Sequence, residues 1–201
     1  MTVITVLTIV GAFVIGLATG GRPRHLAEHA FRLGFLPIVG VALDIASEVN
    51  ALHAIWFPIA LASYACLVAF VVANIRLTGM FLVLIGLGLN VLTIAVNVGM
   101  PVRADAVVAS GYADDLAEAR KDDYGAKHHL ERRDDTLMPI SDVIPVRPIK
   151  RVLSIGDLIM AIGIGVVVLN LLRPPPTRRH GVRRSASDRP DPQQPAATPR
   201  G

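Results

Sequence analysis

The sequence predicts an all-α integral membrane protein, a helical bundle of five transmembrane helices with one long extracytoplasmic loop. Hydrophobic residues make up 52% of the chain and charged residues only 18%, whereas a soluble domain carries about 25% charged residues. The apolar residues form runs as long as a bilayer is thick, and nearly all charged residues lie between or after these runs. These features exclude an ordinary water-soluble domain.

The five apolar runs cover residues 2–19, 33–49, 51–73, 79–99 and 154–172. A helix rises about 1.5 Å per residue, so the first run is about 27 Å long, just enough to cross the hydrocarbon core. The third and fourth runs contain no charged residue. The second is the weakest, because Pro37 lies near its start and two acids lie near its end. In the fifth, Ser154 and Asp157 fit the capping box of a helix N-terminus.

The positions of the basic residues predict the topology. The short segments before the last run carry only these basic residues: Arg22, Arg24, Arg32 and Arg76. The first three lie between the first two runs, and the fourth lies between the third and fourth runs. The positive-inside rule then places these segments and the C-terminus in the cytoplasm and the N-terminus outside. The loop 100–153 is expected outside the cell membrane, since long loops translocate largely regardless of charge.

The tail, residues 173–201, is expected to be disordered and cytoplasmic. The chain has a net charge of +4, and the basic surplus is concentrated in this tail, which is rich in Arg, Pro and Gln and poor in large apolar residues. Such a segment cannot bury enough surface to fold. We expect it to fix the topology or to bind anionic lipid headgroups, and its location does not indicate nucleic acid as a partner.

Two acids in the second run form a candidate intramembrane site. Asp44 and Glu48 are four residues apart and therefore share one helical face. Because acids inside a membrane are costly, they suggest a proton-linked carrier, with His53 just beyond them. The alternative is that the second span ends early and both acids are solvated at the outer interface.

Polar and small residues in the other runs predict helix packing. Asn90 and Asn97 lie in the fourth run and are expected to bridge helices by hydrogen bonds, rather than to line a conduction path. Small residues at four-residue spacing permit close helix contact, within one chain or between two copies. They are Ala12, Gly16 and Gly20 in the first run, and Ala161 and Gly165 in the fifth.

The long loop contains a candidate cluster of Lys127, His128, His129 and Asp142. Imidazole and carboxylate groups are donors that Zn²⁺ or Mn²⁺ accepts, but adjacent histidines point in divergent directions on either a helix or a strand. A structural cluster, a metal site and another binding role all remain open, and we predict no metal or cofactor. Cys66 is the only cysteine, so it forms no intrachain disulfide.

Both ends of the loop are expected to lie near the membrane. Pro101 can start a short membrane-surface helix in which Val102, Ala106 and Ala109 share one side. A later apolar, proline-bounded segment is expected to pack against the outer ends of the spans through Leu137, Ile140, Val143 and Ile144.

Four motifs in order resemble a domain-of-unknown-function family of bacterial multi-pass membrane proteins, found mainly in high-GC Gram-positive and related bacteria. They are Asn97-x-Gly99-Met100-Pro101, Lys127-His128-His129-Leu130, Leu137-x-Pro139-Ile140-x-Asp142-Val143-Ile144-Pro145-Val146, and Ser154-Ile155-Gly156-Asp157. The resemblance covers about Gly20 to Leu172 and excludes the tail. It implies a membrane location and no particular activity.

No motif of a phosphate loop, nucleophile elbow, zincin helix or dinucleotide fingerprint is present in the sequence. We therefore expect a structural or interaction component of the cell envelope rather than an enzyme, with the lipid bilayer, other membrane proteins or a second copy as partners. The alternatives are a small proton-linked carrier that uses Asp44 and Glu48, and a metal-dependent membrane enzyme or factor at His128 and His129.

Overall fold

The computed structural model describes residues 2–27, 30–49, 54–120, 124 and 127–173. This part of the chain is mostly helical, with a small sheet between the last two long helices. The helices are α1 (Thr2–Ala18), α2 (Pro23–Ala27), α3 (Leu36–Ala46), α4 (Trp56–Ala73), α5 (Met80–Asn97), α6 (Ala104–Ser110), α7 (Leu116–Ala119) and α8 (Ile155–Leu171). The strands are β1 (Met100–Val102), β2 (His128–Leu130), β3 (Asp142–Val146) and β4 (Arg151–Ser154).

The long helices follow the predicted runs, but only two are long and apolar enough to cross a membrane. These are α4 and α5, with 18 residues each; α1, α3 and α8 are shorter apolar helices. Helix α3 departs most from its predicted run, because Pro37 lies in its first turn and the helix ends at Ala46. Helix α2 was not predicted. Five spans are therefore not established by length and composition.

Successive long helices run in alternating directions. Helices α3 and α4 are antiparallel: Phe31, before α3, contacts Phe70 late in α4, and the Ser63 hydroxyl donates to the Gly40 carbonyl at 2.8 Å. A short turn makes α4 and α5 antiparallel, and α8 returns antiparallel to α5. Helix α1 runs parallel to α8, since Thr8 lies beside Gly165 in α8 and Gly16 lies beside Leu172 at the C-terminal end of α8.

Glycines bring α5 and α8 into direct backbone contact. A Cβ on Gly86 would meet the Gly156 carbonyl oxygen and would lie 2.6 Å from the Met160 nitrogen. Gly163 lies seven residues after Gly156 in α8, and a Cβ on it would lie 2.6 Å from the Val83 nitrogen of α5. Side chains are therefore excluded from this contact, and close backbone packing joins the two helices.

The faces of small residues predicted on α1 and α8 are partly in contact with the opposite helix. Ala12 is buried, and a Cβ on Gly16 would clash with Leu172. Gly165 lies on the matching face of α8, near Thr8. Gly20 is different, because it has nothing within 4 Å and adopts a φ of +89° after the end of α1. It serves the turn rather than the helix contact.

The loop region folds as a sheet domain, which we define as residues 100–154. Its strands are ordered β2-β1-β3-β4, with β1 parallel to β2 and β3, and β3 antiparallel to β4. A small core fills the space between the sheet and the short helices, formed by Val102, Val107, Ala113 and Ala119. This sheet corrects the predicted all-α class. The strands have only three to five residues, too few to show the alternating pattern that reveals a strand in a sequence.

The prediction for the start of the loop is corrected. Pro101 does not start a helix: it is fully buried in β1, and α6 begins at Ala104 and packs against β3. The later apolar segment enters the sheet as β3, where Ile144 pairs with Leu153. Leu137 is exposed, whereas the short turn Met138–Ile140 contacts α5 and β3 contacts α8. This segment therefore joins the sheet and also lies against the two helices.

The two ends of the bundle differ in charge. One end, which we call the basic end, consists of residues 19–35, 74–79 and 172–173. Its described arginines are Arg22, Arg24, Arg32, Arg76 and Arg173, and the sequence of these segments contains one acid, Glu28, which lies outside the described residues. The segments are tied together there: the Arg22 amide donates to the Leu172 carbonyl at 2.9 Å, and the Arg32 amide donates to Asn74 Oδ1 at 3.0 Å. The sheet domain occupies the opposite end.

Adding a methyl group at Gly86 should destabilise the protein. The Gly86→Ala variant forces α5 and α8 apart, and such overpacking costs about 1–3 kcal/mol. Gly88→Ala is the matched control, because a Cβ there meets nothing within 4 Å. Thermal unfolding of the purified proteins in detergent should show a lower Tm for Gly86→Ala only. Equal Tm values for the two variants would contradict the contact.

Candidate functional site

A cavity of about 360 Å³ lies between the ends of the long helices and the sheet domain. The helices contribute Asp44, Tyr64 and Asp157 to its lining, and the turn after α3 contributes Glu48. The sheet domain contributes Lys127, His128, Asp142, Lys150 and Arg151. The structure thus joins two groups of candidates that the sequence left separate, the acids of α3 and the cluster of the loop.

Lys127 forms an ion pair with both acids. Its Nζ lies 2.6 Å from Asp44 Oδ1 and 3.1 Å from Glu48 Oε1. The Lys127 side chain is only 9% exposed, whereas those of Asp44 and Glu48 are 26% and 39% exposed. We call these three residues the Lys127 triad. Asp44 lies in the last turn of α3 and Glu48 in the turn after the end of this helix, and both carboxylates contact the same cation from the sheet domain.

The turn after α5 leads into β1, which holds Lys127 near the C-terminal end of α3. Val98 and Gly99 have φ values of 49° and 138°, and the second value favours glycine. A Cβ on Gly99 would lie 2.8 Å from His129 Nδ1, so the turn needs glycine for space as well. The chain then enters β1, where the Met100 amide donates to the Lys127 carbonyl at 2.7 Å. Lys127 is therefore held directly beside the end of α5.

The two histidines of β2 point to different partners, as expected from their adjacency. His129 Nε2 lies 3.0 Å from Asp135 Oδ1, whereas His128 lines the cavity and lies 3.8 Å from Asp142 Oδ2. Burial lowers the pKa of His128 to about 3, and the charge of Lys127 acts in the same direction. Burial also raises the pKa of Asp142 well above its ordinary value. Both environments favour the uncharged forms.

Asn90 links α5 to the start of α8 at the base of the cavity. Its Nδ2 donates to Asp157 Oδ1 at 2.8 Å, and its Oδ1 accepts from the Ser154 hydroxyl at 2.9 Å. Ser154 and Asp157 also form the predicted capping box. The bridging role predicted for Asn90 is confirmed, and its partner is the cap of α8.

Asn97 has a different role from the one predicted. Its Nδ2 donates to the Thr93 carbonyl of its own helix and to the Thr136 carbonyl, each at 3.0 Å. The Thr136 amide donates back to Asn97 Oδ1 at 2.8 Å. Asn97 therefore attaches the sheet domain to α5 instead of joining two helices.

Metal binding gains no support from the geometry. Within the described residues, no group of three or more His, Cys, Asp or Glu side chains is arranged to hold a metal ion. His129 and His128 face apart, so they do not combine as ligands. His53, which the sequence placed beside the two acids, lies outside the described residues, as do residues 174–201 of the tail.

Residues 27–169 match a family of unknown function, and this range includes the whole cavity lining. The chain belongs to the DUF5317 family. The resemblance to a domain-of-unknown-function family is confirmed. No curated protein and no solved structure matches the chain.

Several lining residues of the DUF5317 cavity were missed by sequence reasoning. Tyr64 lies in the middle of an apolar run, and Lys150 and Arg151 lie in a loop with many other charges. Asp157 was assigned only to the helix cap. Each of these residues has an ordinary local explanation, so only the packing of the sheet domain on the helices reveals their shared location.

The pKa of His128 predicts a pH dependence of stability. Its folded-state pKa of about 3 lies below the ordinary 6.5, so the unfolded chain binds this proton first as the pH falls. Stability is then lost as the pH decreases below about 6.5. Asp142 acts in the opposite sense, since a raised pKa lowers stability as the pH rises above 3.8.

The His128→Gln variant should therefore lose less stability than the wild type between pH 6.5 and 4.5. Asp142 is present in both proteins, so the difference between them reports on His128. Tm values at a series of pH values check this expectation. Parallel pH profiles for the two proteins would show that the ring titrates normally in the folded state.

Proposed function

We propose that this chain is an integral membrane protein with five spans that acts as a binding or scaffolding component of the cell envelope, with its sheet domain outside the membrane. The observation that carries the proposal is the Lys127 triad, which joins the sheet domain to the helices around a polar cavity. Such an arrangement holds a binding surface in a fixed position relative to the bilayer.

The outward faces of the long helices support a membrane location. Only 22% of α4 and 39% of α5 is buried, whereas a core helix of a soluble protein is mostly buried. Each long helix has at least one large apolar residue that is more than half exposed. Examples from α1, α3, α4, α5 and α8, in that order, are Val14, Ile38, Val72, Phe81 and Ile162. Soluble monomers rarely expose apolar surface on this scale, and lipid is the solvent that suits it.

Alternating helix directions support five spans rather than two. Helix α3 has only 11 residues, about 16 Å, but its flanking residues reach both ends of the bundle. Arg32 contacts Asn74 at the basic end, and Glu48 contacts Lys127 at the other. The parallel contact of α1 with α8 is the relation expected for the first and fifth of five spans.

The basic end supports a cytoplasmic position for that end. Five described arginines lie at this end, where the sequence has a single acid, Glu28, and every described carboxylate lies at the other end or in the sheet domain. The positive-inside rule then places the sheet domain outside. The basic tail follows the cytoplasmic end of α8, where anionic lipid headgroups would attract it.

The triad favours binding over proton transport. Asp44 and Glu48 are already paired with one buried cation, and α1, α4 and α5 contain no Asp, Glu, Lys, Arg or His. A side-chain relay from the triad to the basic end would need such groups along its path. The carrier alternative therefore has no observation in its favour.

Thiol labelling in whole cells tests the topology. On a Cys66→Ala background, Asp134→Cys places a thiol in the exposed part of the sheet domain, and Thr78→Cys places one in the exposed α4–α5 turn. A membrane-impermeant maleimide should label the Asp134→Cys protein in intact cells and the Thr78→Cys protein only after permeabilisation. Both proteins should remain in the membrane fraction after an alkaline wash.

The reverse labelling pattern would place the sheet domain in the cytoplasm and overturn the proposed topology. Release of either protein by the alkaline wash would overturn the proposal that the helices span the membrane.

A further inference from the structure

We propose that the cavity binds a zwitterion that carries a primary amine and a phosphate on a short linker, the chemistry of a phosphoethanolamine group. The inference rests on the proposed function, since it assigns a ligand class to the same cavity. The distribution of charge, the size of the cavity and the position of its opening favour this ligand class.

On the side of the cavity formed by the helix ends, which we call the helix wall, two carboxylates share one cation. Asp44 and Glu48 provide two negative charges, and Lys127 provides the only cation within ion-pair distance of them among the described residues. Glu48 is the farther of the two acids from Lys127 Nζ and the more exposed. A primary ammonium group can therefore join the triad and donate to Glu48, with little loss of solvation for either charge.

The sheet wall has cations in excess. Lys150 and Arg151 line the cavity, and neither forms an ion pair with a carboxylate of the described residues. Lys150 ends a short helical turn and has a φ of 48°, and Arg151 begins β4. A guanidinium and an ammonium group that line the same cavity can both donate to the several oxygens of a phosphate.

The cavity volume fits a small ligand with both charges. About 360 Å³ is near the lower limit of typical ligand pockets, which measure about 300–1,000 Å³. The rings of Tyr112 and Tyr124 lie in the lining with their centroids 6.1 Å apart. They add an apolar wall beside the polar groups, as is usual in ligand pockets.

One side of the cavity opens toward the surface that we assign to lipid. Ile45 lines the cavity and is 61% exposed on α3, and Glu48 lies one turn further on. Both residues are at the sheet end of the bundle, which in the proposed topology is the depth of the outer headgroups. A phosphoethanolamine group can therefore arrive as a lipid headgroup or as a free small molecule.

Binding to the purified full-length protein tests the ligand class. In detergent, O-phosphoethanolamine is titrated by calorimetry, with O-phosphocholine as the comparison because its quaternary ammonium cannot donate hydrogen bonds. In nanodiscs that contain equal amounts of phosphatidylethanolamine and phosphatidylcholine, native mass spectrometry measures which lipid the protein retains. Retention of phosphatidylethanolamine identifies a lipid headgroup, and binding of the soluble probe alone identifies a free small molecule; both results support the proposed chemistry.

Charge-removing variants test the two walls separately. Arg151→Gln and Glu48→Gln should each weaken binding of the preferred probe about tenfold, the loss expected for one charge-assisted hydrogen bond. Arg133→Gln and Asp134→Asn are the matched controls, since both residues are exposed and lie outside the cavity lining. Thermal unfolding of each variant shows that it is folded.

Any one of three results would overturn the inference. They are equal affinity for the ethanolamine and choline probes, no binding of either probe, and equal affinities of the cavity variants and the control variants for the preferred probe. None of these results depends on orientation in the cell. Failure of the ligand assignment is therefore distinguishable from failure of the topology, which the thiol labelling measures.

Discussion

The ion pairs between Lys127 and the two acids of α3 are the interaction on which the candidate site depends. Helix α3 packs mainly against α4, whereas the sheet domain is an insertion between α5 and α8. Lys127 brings these two parts together, with Nζ 2.6 Å from Asp44 Oδ1 and 3.1 Å from Glu48 Oε1. Because a buried charge without a partner is strongly unfavourable, the Lys127 side chain favours the position of the sheet domain in which both acids are within reach.

The rest of the structure provides the rigid base for this contact. The glycine contact of α5 with α8 fixes the two helices from which the sheet domain leaves and to which it returns. Asn90, Ser154 and Asp157 close that junction with buried hydrogen bonds. Because both ends of the inserted segment are fixed, the short strands β1 and β2 leave Lys127 little conformational freedom. This division between a rigid helical base and a small polar site agrees with the binding role that we propose.

Much of the helical part could be predicted from the sequence, because long apolar runs and the capping residues Ser154 and Asp157 are local signals. The sheet could not, since β1 and β2 have three residues each and pair across a long separation. The candidate residues Asp44, Glu48, Lys127, His128 and Asp142 were recognised by type, but their meeting depends on the turn at Gly99 and on β1–β2 pairing. The polar residues Lys150 and Arg151 gave no signal at all, because exposed basic residues in a loop have an ordinary explanation as solvated surface.

Hydrogen exchange on the purified full-length protein tests the role of the Lys127 charge most directly. Lys127→Met leaves two partly exposed carboxylates without their cation, so amides of β2 and β3 should exchange about 5- to 150-fold faster, as expected for a loss of about 1–3 kcal/mol. The triple variant Lys127→Met, Asp44→Asn, Glu48→Gln has no unpaired charge and should exchange at close to the wild-type rate. Lys150→Met is the matched control, because Lys150 lines the same cavity without an ion pair to a described carboxylate. Wild-type exchange rates in Lys127→Met, or equally fast exchange in the single and triple variants, would contradict the account.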